Sequence, residues 1–375
     1  MEILKNILVI NPGSSSLKWS WFSSSSEYEA NKSGLTELEH FNQWLYSLSD
    51  RVSVDYVIIR FVHGGGQYSE PIELSLSKLN QLEAFNEFAP LHNPISIFCA
   101  KQILQVLADQ AEIYAAFDCE FFRHLPLVSK TYAIPEEIIK KYSIKRYGFH
   151  GFAHAGMYSS WQEAITERRK AGSMESRVIT IQLGAGCSMS AIKNGEPIDT
   201  SMGFTPNEGL VMATRSGDID PGLVTWLQRK EDWSPEKTEE VLNQNSGWLG
   251  LSGLSKNFAE LLASDNPQAR LAVDLFCWRI RKSIGAYYAI LGGLDGIILS
   301  GGLAENAPNF CRELLNDLNH LGVEIQSDKI FNNNITSNSV QLSTHTAPVG
   351  CWIVKNSEAQ AMIASVANSI NKQTM

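Results

Sequence analysis

The sequence predicts an α/β fold with two domains, and three observations lead to this prediction. Short apolar runs typical of buried strands alternate with segments whose apolar residues recur at helical spacing. Several of these runs lead straight into glycine-rich loops, which is typical of sheets that bind ligands at the carboxyl ends of their strands. The chain has 375 residues, enough for two domains of roughly 150–200 residues each.

The first predicted strand, residues 7–10, leads into a loop at residues 11–18 that reads Asn-Pro-Gly-Ser-Ser-Ser-Leu-Lys. Gly13 lets the backbone approach a ligand closely, and the serines and backbone N–H groups offer neutral hydrogen-bond donors. Lys18 adds a mobile positive charge, so the loop suits a phosphate group. It lacks the spacing of a Walker A motif. Taken alone, the loop could equally be a serine-rich hairpin turn.

Three later strand-like runs also end in glycine loops. The runs are residues 57–59, 178–182 and 296–299, and the loops that follow them span residues 60–66, 183–186 and 300–306. Because the carboxyl ends of parallel strands meet at one edge of a sheet, we expect the loops to converge on a ligand.

Helices are predicted between these runs, at residues 76–88, 95–108 and 270–291. The last is a long amphipathic segment, with Leu271, Leu275, Trp278 and Ile284 near one face.

The composition argues against several classes of function. The net charge is −9, from 31 basic and 40 acidic residues, which argues against a nucleic-acid partner. No apolar run reaches the roughly 18–20 residues of a membrane span, and the start of the chain lacks the features of a signal peptide. The six cysteines are scattered, without a Cys-x-x-Cys pair. This pattern predicts reduced thiols in a cytoplasmic protein and argues against zinc.

Charged side chains stand in several places where a core would be apolar. Arg60 ends a predicted strand just before a glycine run, and Asp118 follows an apolar pair. His150 lies between glycines, Arg215 lies in Thr-Arg-Ser-Gly-Asp-Ile-Asp-Pro, and Glu358 lies near the C-terminus. These residues are therefore the candidates for chemistry.

The motifs around these residues resemble those of the acetate kinase family of carboxylate kinases. The resemblance runs from about residue 5 to about residue 365 and rests on Asn-x-Gly-Ser-Ser-Ser-Leu-Lys, Arg-x-Val-His-Gly-Gly, Leu-His-Asn-Pro, Tyr-Gly-Phe-His-Gly and Asp-Thr-Ser-Met-Gly-Phe-Thr-Pro. It implies a duplicated ribonuclease-H-like fold, shared with sugar kinases and actin, with the active site in the cleft between the domains. The expected domains are residues 1–122 with 360–375, and residues 123–359. The resemblance also implies a homodimer formed through the second domain.

The resemblance implies transfer of the ATP γ-phosphoryl group to acetate, with Mg²⁺ (or Mn²⁺) as cofactor. Asp118, His150 and Arg215 are the expected catalytic residues, and Arg60 binds the substrate. Asn11 and Glu358 are the expected metal ligands, and Lys18 contacts the donor phosphates. The family description gives the residue matching Asp118 an acid–base role. Because acetate is already ionised at pH 7, we favour a role for Asp118 in holding Mg²⁺ and its waters.

The resemblance places a small apolar pocket around the acyl group of the substrate. The matching residues are Val62, Leu91, Phe149 and Pro206. One methylene changes binding in such a pocket by only about 1–3 kcal/mol. We therefore expect propionate to be a slower substrate than acetate.

The chain departs from the family pattern at the nucleotide side. The matching positions are Gln182, Leu183, Gly184, Ala185 and Gly186 in the first loop, Asn257, Phe258 and Ala259 in the second, and Gly302, Leu303, Ala304, Glu305 and Asn306 in the third. Compared with the family pattern, the first loop lacks an imidazole and an amide, and the second loop lacks a carboxylate and a guanidinium. These groups are expected to contact the nucleotide in the family. Three explanations remain: ATP with compensating contacts, another donor such as pyrophosphate or a different nucleotide, or a catalytically weak protein that binds ligand and acts through assembly or regulation.

Overall fold

The computed structural model describes residues 6–13, 16–23, 32–49, 52–90, 92–165, 176–326, 337–355 and 357–373. The chain divides into two compact units. The first unit is Met1–Arg123 with Ser357–Met375, and the second is His124–Asn356. These boundaries lie close to those expected from the sequence, at residues 122 and 360.

Strands and helices alternate along the described residues. The strands are, in chain order, β1 (Asn6–Pro12), β2 (Ser16–Ser23), β3 (Lys32–Glu37), β4 (Tyr56–Phe61), β5 (Ile72–Glu73), β6 (Glu112–Phe117), β7 (Arg177–Leu183), β8 (Cys187–Lys193), β9 (Glu196–Thr200), β10 (Gly296–Ser300), β11 (Ser339–Gln341) and β12 (Gly350–Val354). The α-helices are α1 (Phe41–Ser49), α2 (Leu76–Glu83), α3 (Asn93–Leu107), α4 (Leu127–Lys130), α5 (Glu136–Tyr142), α6 (Gly151–Ile165), α7 (Pro221–Glu231), α8 (Pro235–Gln244), α9 (Gly247–Ser252), α10 (Phe258–Leu262), α11 (Pro267–Leu291), α12 (Gly302–Asn306), α13 (Pro308–Leu315) and α14 (Glu358–Gln373).

Each unit contains one six-stranded sheet, and the two sheets share a topology. The order is β3-β2-β1-β4-β6-β5 in the first unit and β11-β12-β10-β7-β8-β9 in the second. In each, an antiparallel three-strand meander is followed by two strands parallel to its first strand. This is the ribonuclease-H-like arrangement, and the predicted α/β fold with two such domains is confirmed.

The sequence explains why the central strands are buried. All four residues from Ile7 to Ile10 in β1 are buried, as expected for a parallel strand covered by helices on both faces of its sheet. The hairpin from β8 to β9 turns at Asn194 and Gly195, whose φ angles are 55° and 89°. Two positive φ angles are the requirement of a type I′ turn, which Asn-Gly meets at little cost.

The predicted helices are present, with two corrections. The helix predicted over residues 76–88 ends at Glu83 and is followed by a 3₁₀ turn at Asn86–Phe88. α11 begins after the capping residue Asn266 and ends at Leu291, before the capping residue Gly292. The four residues expected near one face do not share it, because Ile284 is buried and the other three are not. Leu271 and Trp278 are 51% and 69% exposed. The buried stripe is Ala269, Ala272, Phe276, Ile280, Ile284, Tyr287 and Leu291. The helix has apolar residues on more than one side, and periodicity alone does not tell which stripe packs on the sheet.

Two further observations concern the sequence-based exclusions. All six cysteines are free. Among the described residues, every helix is too short or too polar to cross a lipid bilayer.

Candidate active site

Three parallel strands of the first unit end side by side and bring polar residues together. Asn11 lies near the end of β1, Arg60 lies in β4, and Asp118 follows β6 directly. The backbone N–H of Asp118 donates to Phe61 O at 2.9 Å, which extends the pairing of β4 with β6 to this residue. Glu358 begins α14, which packs against β1, β4 and β6. The parallel arrangement thus assembles these four side chains.

The four side chains form a continuous hydrogen-bonded chain. Arg60 Nη2 donates to Asp118 Oδ2 at 2.8 Å, and Arg60 Nη1 donates to Asn11 Oδ1 at 3.1 Å. Asn11 Nδ2 in turn donates to Glu358 Oε2 at 2.7 Å. A guanidinium on one side and a carboxylate on the other fix which end of the Asn11 amide is oxygen.

Arg60 is a permanently charged group in a partly buried position. Burial by itself lowers its pKa, but the charges of Asp118 and Glu358 and the hydrogen bond to Asp118 outweigh it and hold the pKa above its ordinary value. The Arg60 Nε is buried and has no hydrogen-bond partner among the described residues. The Nε is therefore an unsatisfied donor inside the described part of the fold, while 15% of the Arg60 side chain stays exposed to a ligand.

The same residues have the chemistry of a magnesium site. Asp118 and Glu358 offer carboxylate oxygens, and Asn11 offers an amide oxygen. Mg²⁺ is commonly held by one or two carboxylates together with waters and substrate phosphates. The donor set of this unit fits that requirement.

Two other predicted residues lie in the first unit. Lys18 on β2 stands directly opposite Asn11 on β1 and is exposed. Val62 is buried immediately after β4. Leu91, and Ser14 and Ser15 of the first loop, lie outside the described residues.

In the second unit, His150 and Arg215 converge above Gly186. A Cβ atom on Gly186 would lie 3.5 Å from His150 Nε2 and 3.7 Å from Arg215 Nη1. His150 adopts φ +59° just before α6. This left-handed conformation is uncommon outside glycine and often occurs at functional sites. The absence of a side chain at Gly186 therefore leaves room for a ligand that both groups can reach.

Arg215 is a partly buried cation that has no acidic partner in the part of the chain that the structure describes. Burial lowers the pKa of its guanidinium, and the Cys187 thiol offsets this only in part. Its Nη1 donates to Pro206 O at 3.3 Å, and no carboxylate of the described residues lies within ion-pairing distance of it. A buried charge without a counter-ion is costly. Such a site is therefore prepared to receive an anion.

The first and third predicted nucleotide loops lie together in the second unit. Gln182 on β7 pairs with Ser300 at the end of β10. A Cβ atom on Gly301, which has φ +95°, would lie 2.5 Å from Leu183 O and 2.9 Å from Gln182 Nε2. Gln182 Oε1 and Ser300 Oγ are buried without a hydrogen-bond partner among the described residues.

The remaining residues of these two loops differ in exposure. Gly184 and Gly186 are partly exposed and Ala185 is exposed, and Ala185 O accepts from Ala213 N at 2.9 Å. Ala304 is fully buried. Leu303 and Glu305 are partly exposed, and Gly302 and Asn306 are exposed.

The second predicted nucleotide loop has a clear structural role. Asn257 caps α10 by accepting from Ala259 N at 3.2 Å. Phe258 is buried in an aromatic cluster with Trp248, Phe276 and Phe310. Asn257 and Ala259 are exposed.

Two predicted acyl-pocket residues also lie in the second unit. Phe149 is buried immediately before His150, and Pro206 is partly exposed and bonded to Arg215.

Sequence reasoning missed two polar clusters of the second unit. In the first, Glu208 accepts hydrogen bonds from Tyr132 and Arg146, and Tyr132 also accepts from Phe204 N. This cluster holds the loop that carries Pro206. The second consists of Thr180, His154 and Ser188. One signal was available for it, because His154 follows His150 by four residues, the spacing of one helix face.

Comparisons with known proteins agree on one family. The sequence profile of the Acetokinase family matches residues 39–365. An acetate kinase of Brachyspira hyodysenteriae is 37% identical over 323 residues, covering 86% of this chain and 79% of that protein. An acetate kinase of Phocaeicola vulgatus is 36% identical, covering 96% and 98%.

Solved structures of similar length share the fold. The crystal structure of Porphyromonas gingivalis acetate kinase has a TM-score of 0.84 at 29% identity, covering 98% of this chain and 99% of that one. A propionate kinase from Francisella tularensis has a TM-score of 0.81 at 28% identity, covering 96% and 98%. The match over most of the chain and the identities above 30% lead to one conclusion: the chain belongs to the acetokinase family.

Proposed function

We propose that the protein transfers the γ-phosphoryl group of ATP to acetate, giving acetyl phosphate and ADP. One carboxylate oxygen of acetate forms a bond to the γ-phosphorus, and the bond from that phosphorus to the β–γ bridging oxygen breaks. ADP keeps the bridging oxygen and its electron pair, and no proton is transferred. The observation that carries the proposal is the guanidinium of Arg215, which has no counter-ion among the described residues and converges with His150 on Gly186.

Arg215 and His150 supply what phosphoryl transfer asks of a protein. Negative charge spreads over the equatorial oxygens of the transferring group, and fixed donors that face those oxygens stabilise it. A planar guanidinium can contact two oxygens at once, and His150 adds a third donor. Both groups are held in place before the substrate arrives, so little reorganisation is needed.

The first unit supplies the acceptor and metal side of the proposal. Arg60 binds the acetate carboxylate, consistent with a permanently charged guanidinium whose side chain is 15% exposed. Asn11, Asp118 and Glu358 would hold Mg²⁺ directly or through water. When bound, Mg²⁺ would neutralise charge on the phosphate oxygens. Mn²⁺ has similar ligand preferences and is expected to substitute.

Asp118 tests the metal assignment. We expect Asp118→Asn to lower kcat and also to raise the Mg²⁺ concentration needed for half-maximal rate, because an amide is a weaker ligand than a carboxylate. The measurement is initial rate against free Mg²⁺ for both proteins. An unchanged Mg²⁺ dependence would argue against Asp118 as a metal holder.

Lys18 tests the assignment of the first loop. It lies opposite Asn11, and the second nucleotide loop offers only the exposed residues Asn257 and Ala259 besides the buried Phe258. We therefore expect Lys18→Ala to raise the KM for the donor more than Asn257→Ala does, since Asn257 already serves to cap α10. Equal effects, or a silent Lys18→Ala, would contradict this role.

The donor is tested with a hydroxamate trap for the acyl phosphate. The protein is incubated with acetate and, in parallel, ATP, other nucleoside triphosphates and pyrophosphate. Turnover with ATP supports the proposal. Turnover only with another donor points to a carboxylate kinase with altered donor use. Absence of turnover with every donor points to a binding or regulatory protein.

The acyl substrate is proposed to be acetate, with propionate as a slower substrate. The apolar residue types of Val62, Phe149 and Pro206 suit a methyl group, and one added methylene costs only about 1–3 kcal/mol in such pockets. A propionate kinase is among the structurally similar proteins. The ratio of kcat/KM for the two acids measures this preference, and a higher value for propionate would contradict it.

We further propose that the protein is a cytoplasmic homodimer. Six free cysteines, five of them buried, suit a reducing compartment. Large apolar side chains on α7 and α11 remain exposed in the single chain: Leu223, Trp226, Leu271 and Trp278. Such surfaces commonly mark protein interfaces. Sedimentation velocity that shows only monomer at micromolar concentration would contradict the dimer.

A further inference from the structure

A buried hydrogen-bonded chain leads from the interior of the second unit to His150. His150 Nδ1 lies 2.8 Å from Ser188 Oγ, and the same Ser188 Oγ lies 2.8 Å from His154 Nε2. His154 Nδ1 lies 2.7 Å from Thr180 Oγ1. Thr180, His154 and Ser188 are each 0% exposed. This hydrogen-bonded chain therefore ends at His150, the only one of its four side chains that is not fully buried.

The fold places these groups in register. In the antiparallel pair of β7 and β8, Thr180 faces Ser190 and Gln182 faces Ser188, so Thr180 and Ser188 lie on one face of the sheet. α6 packs against β7 and brings His154 onto that face. His154 N donates to His150 O at 2.9 Å. The two imidazoles are thereby one helical turn apart on the same side.

When both imidazoles are neutral, the hydrogen bonds from Thr180 to His150 can all point in either of two directions. Ser188 has one hydroxyl hydrogen and contacts two ring nitrogens, so it donates to one imidazole and accepts from the other. In the outward direction, Thr180 donates to His154 Nδ1, His154 Nε2 donates to Ser188, and Ser188 donates to His150 Nδ1. The proton of His150 is then on Nε2, the nitrogen close to Gly186 and Arg215. In the inward direction His150 Nδ1 donates to Ser188, and His150 Nε2 is an acceptor without a proton.

The neighbourhood of Nε2 favours the outward direction. An anion bound at Arg215 needs donors, and a neutral imidazole with Nε2–H supplies one. It does so without placing a second cation beside the Arg215 guanidinium. We propose that Thr180, His154 and Ser188 form a tautomer relay that holds His150 as the neutral Nε2–H imidazole. Ser188 and His154 are thus positioning residues for His150, and the inference rests on the proposed role of His150 at the phosphoryl oxygens.

The tautomer can be observed directly by NMR. In protein labelled with ¹⁵N-histidine, a long-range ¹H–¹⁵N spectrum at neutral pH distinguishes protonated from bare ring nitrogens, and the His150→Gln variant assigns the His150 signals. We expect Nε2 protonated and Nδ1 bare in the free wild-type protein. In Ser188→Ala we expect a mixture of tautomers, a fall in kcat of roughly tenfold for one lost hydrogen bond and little change in the KM for acetate. Ser188→Thr keeps the hydroxyl and is expected to restore the wild-type spectrum.

Ser190→Ala is the matched control. Ser190 is equally buried on the same strand face, but its hydroxyl donates to Asp199 O, so the His150 spectrum should not change. A wild-type His150 protonated on Nδ1, or on both nitrogens, would overturn the relay, as would an unchanged spectrum in Ser188→Ala. If Ser188→Ala does not fold, the protonation of His150 in the wild-type spectrum tests the relay by itself. A wild-type protein that shows Nε2–H but forms no acyl phosphate would support the relay and refute the proposed function.

Discussion

Replacing Arg215 with glutamine is expected to lower kcat for acetyl phosphate formation by about a thousandfold without loss of stability. The guanidinium supplies charge to the transferring group, and glutamine cannot. The stability expectation follows from the structure. Arg215 is partly buried, its pKa is lowered by burial, and no carboxylate of the described residues pairs with it. Removing an uncompensated charge relieves a desolvation cost, and the only hydrogen bond to an oxygen that the structure gives it among the described residues, to Pro206 O at 3.3 Å, is long.

The measurements are steady-state kinetics and urea unfolding of the same preparations. Arg270→Gln is the matched control, because Arg270 is an exposed arginine of the same unit in a long ion pair with Asp274. It should change neither kcat nor the unfolding midpoint. Arg215→Lys keeps the charge but loses the planar pair of donors, and an intermediate kcat is expected. A loss of less than tenfold in Arg215→Gln would remove Arg215 from the proposed chemistry.

Replacing Arg60 with glutamine is expected to have the opposite effect on stability. Arg60 and Asp118 form an ion pair at 2.8 Å, with side chains 15% and 2% exposed. Removing one partner of such a pair leaves an uncompensated buried charge, which costs about 3 kcal/mol or more. We therefore expect Arg60→Gln to lower the free energy of unfolding by about 3 kcal/mol and to abolish acetate binding.

A double-variant cycle identifies the cause of the stability loss in Arg60→Gln. If the loss comes from the isolated carboxylate of Asp118, Arg60→Gln with Asp118→Asn will be more stable than Arg60→Gln alone, while remaining inactive. Arg270→Gln again provides the comparison, since an exposed pair contributes at most about 1 kcal/mol. A double variant no more stable than the single one would show that the pair is not what stabilises this edge of the sheet.

The sequence was sufficient to predict the α/β fold and one cluster of the site. Arg60 ends one apolar run and Asp118 follows another. Parallel strands with adjacent carboxyl ends must bring such residues together. Glu358 was harder, because only the docking of α14 on the same strands brings it to Asn11. A contact between residues 347 positions apart in the chain has no local signature.

Other features depended on tertiary structure alone. Leu271 and Trp278 of α11 are apolar at helical spacing, yet the neighbouring helices and strands cover a different stripe, in which Phe276 packs on Trp248, Phe258 and Phe310. That no carboxylate of the residues described in the structure lies near Arg215 follows from the packing of residues far apart in the chain. Thr180 and Ser188 are 26 and 34 residues from His154 in the chain, and only the pairing of β7 with β8 places both hydroxyls against it.

The most direct test of the proposed function is a ³¹P NMR time course of the wild-type protein with acetate, ATP and Mg²⁺. Every phosphorus-containing species is seen at once, so the fate of the γ-phosphoryl group is unambiguous. The expected result is loss of the γ-phosphate signal of ATP, with acetyl phosphate and ADP rising in equal amounts and only when acetate is present. Inorganic phosphate formed at the same rate with or without acetate, or an unchanged ATP spectrum, would contradict the account.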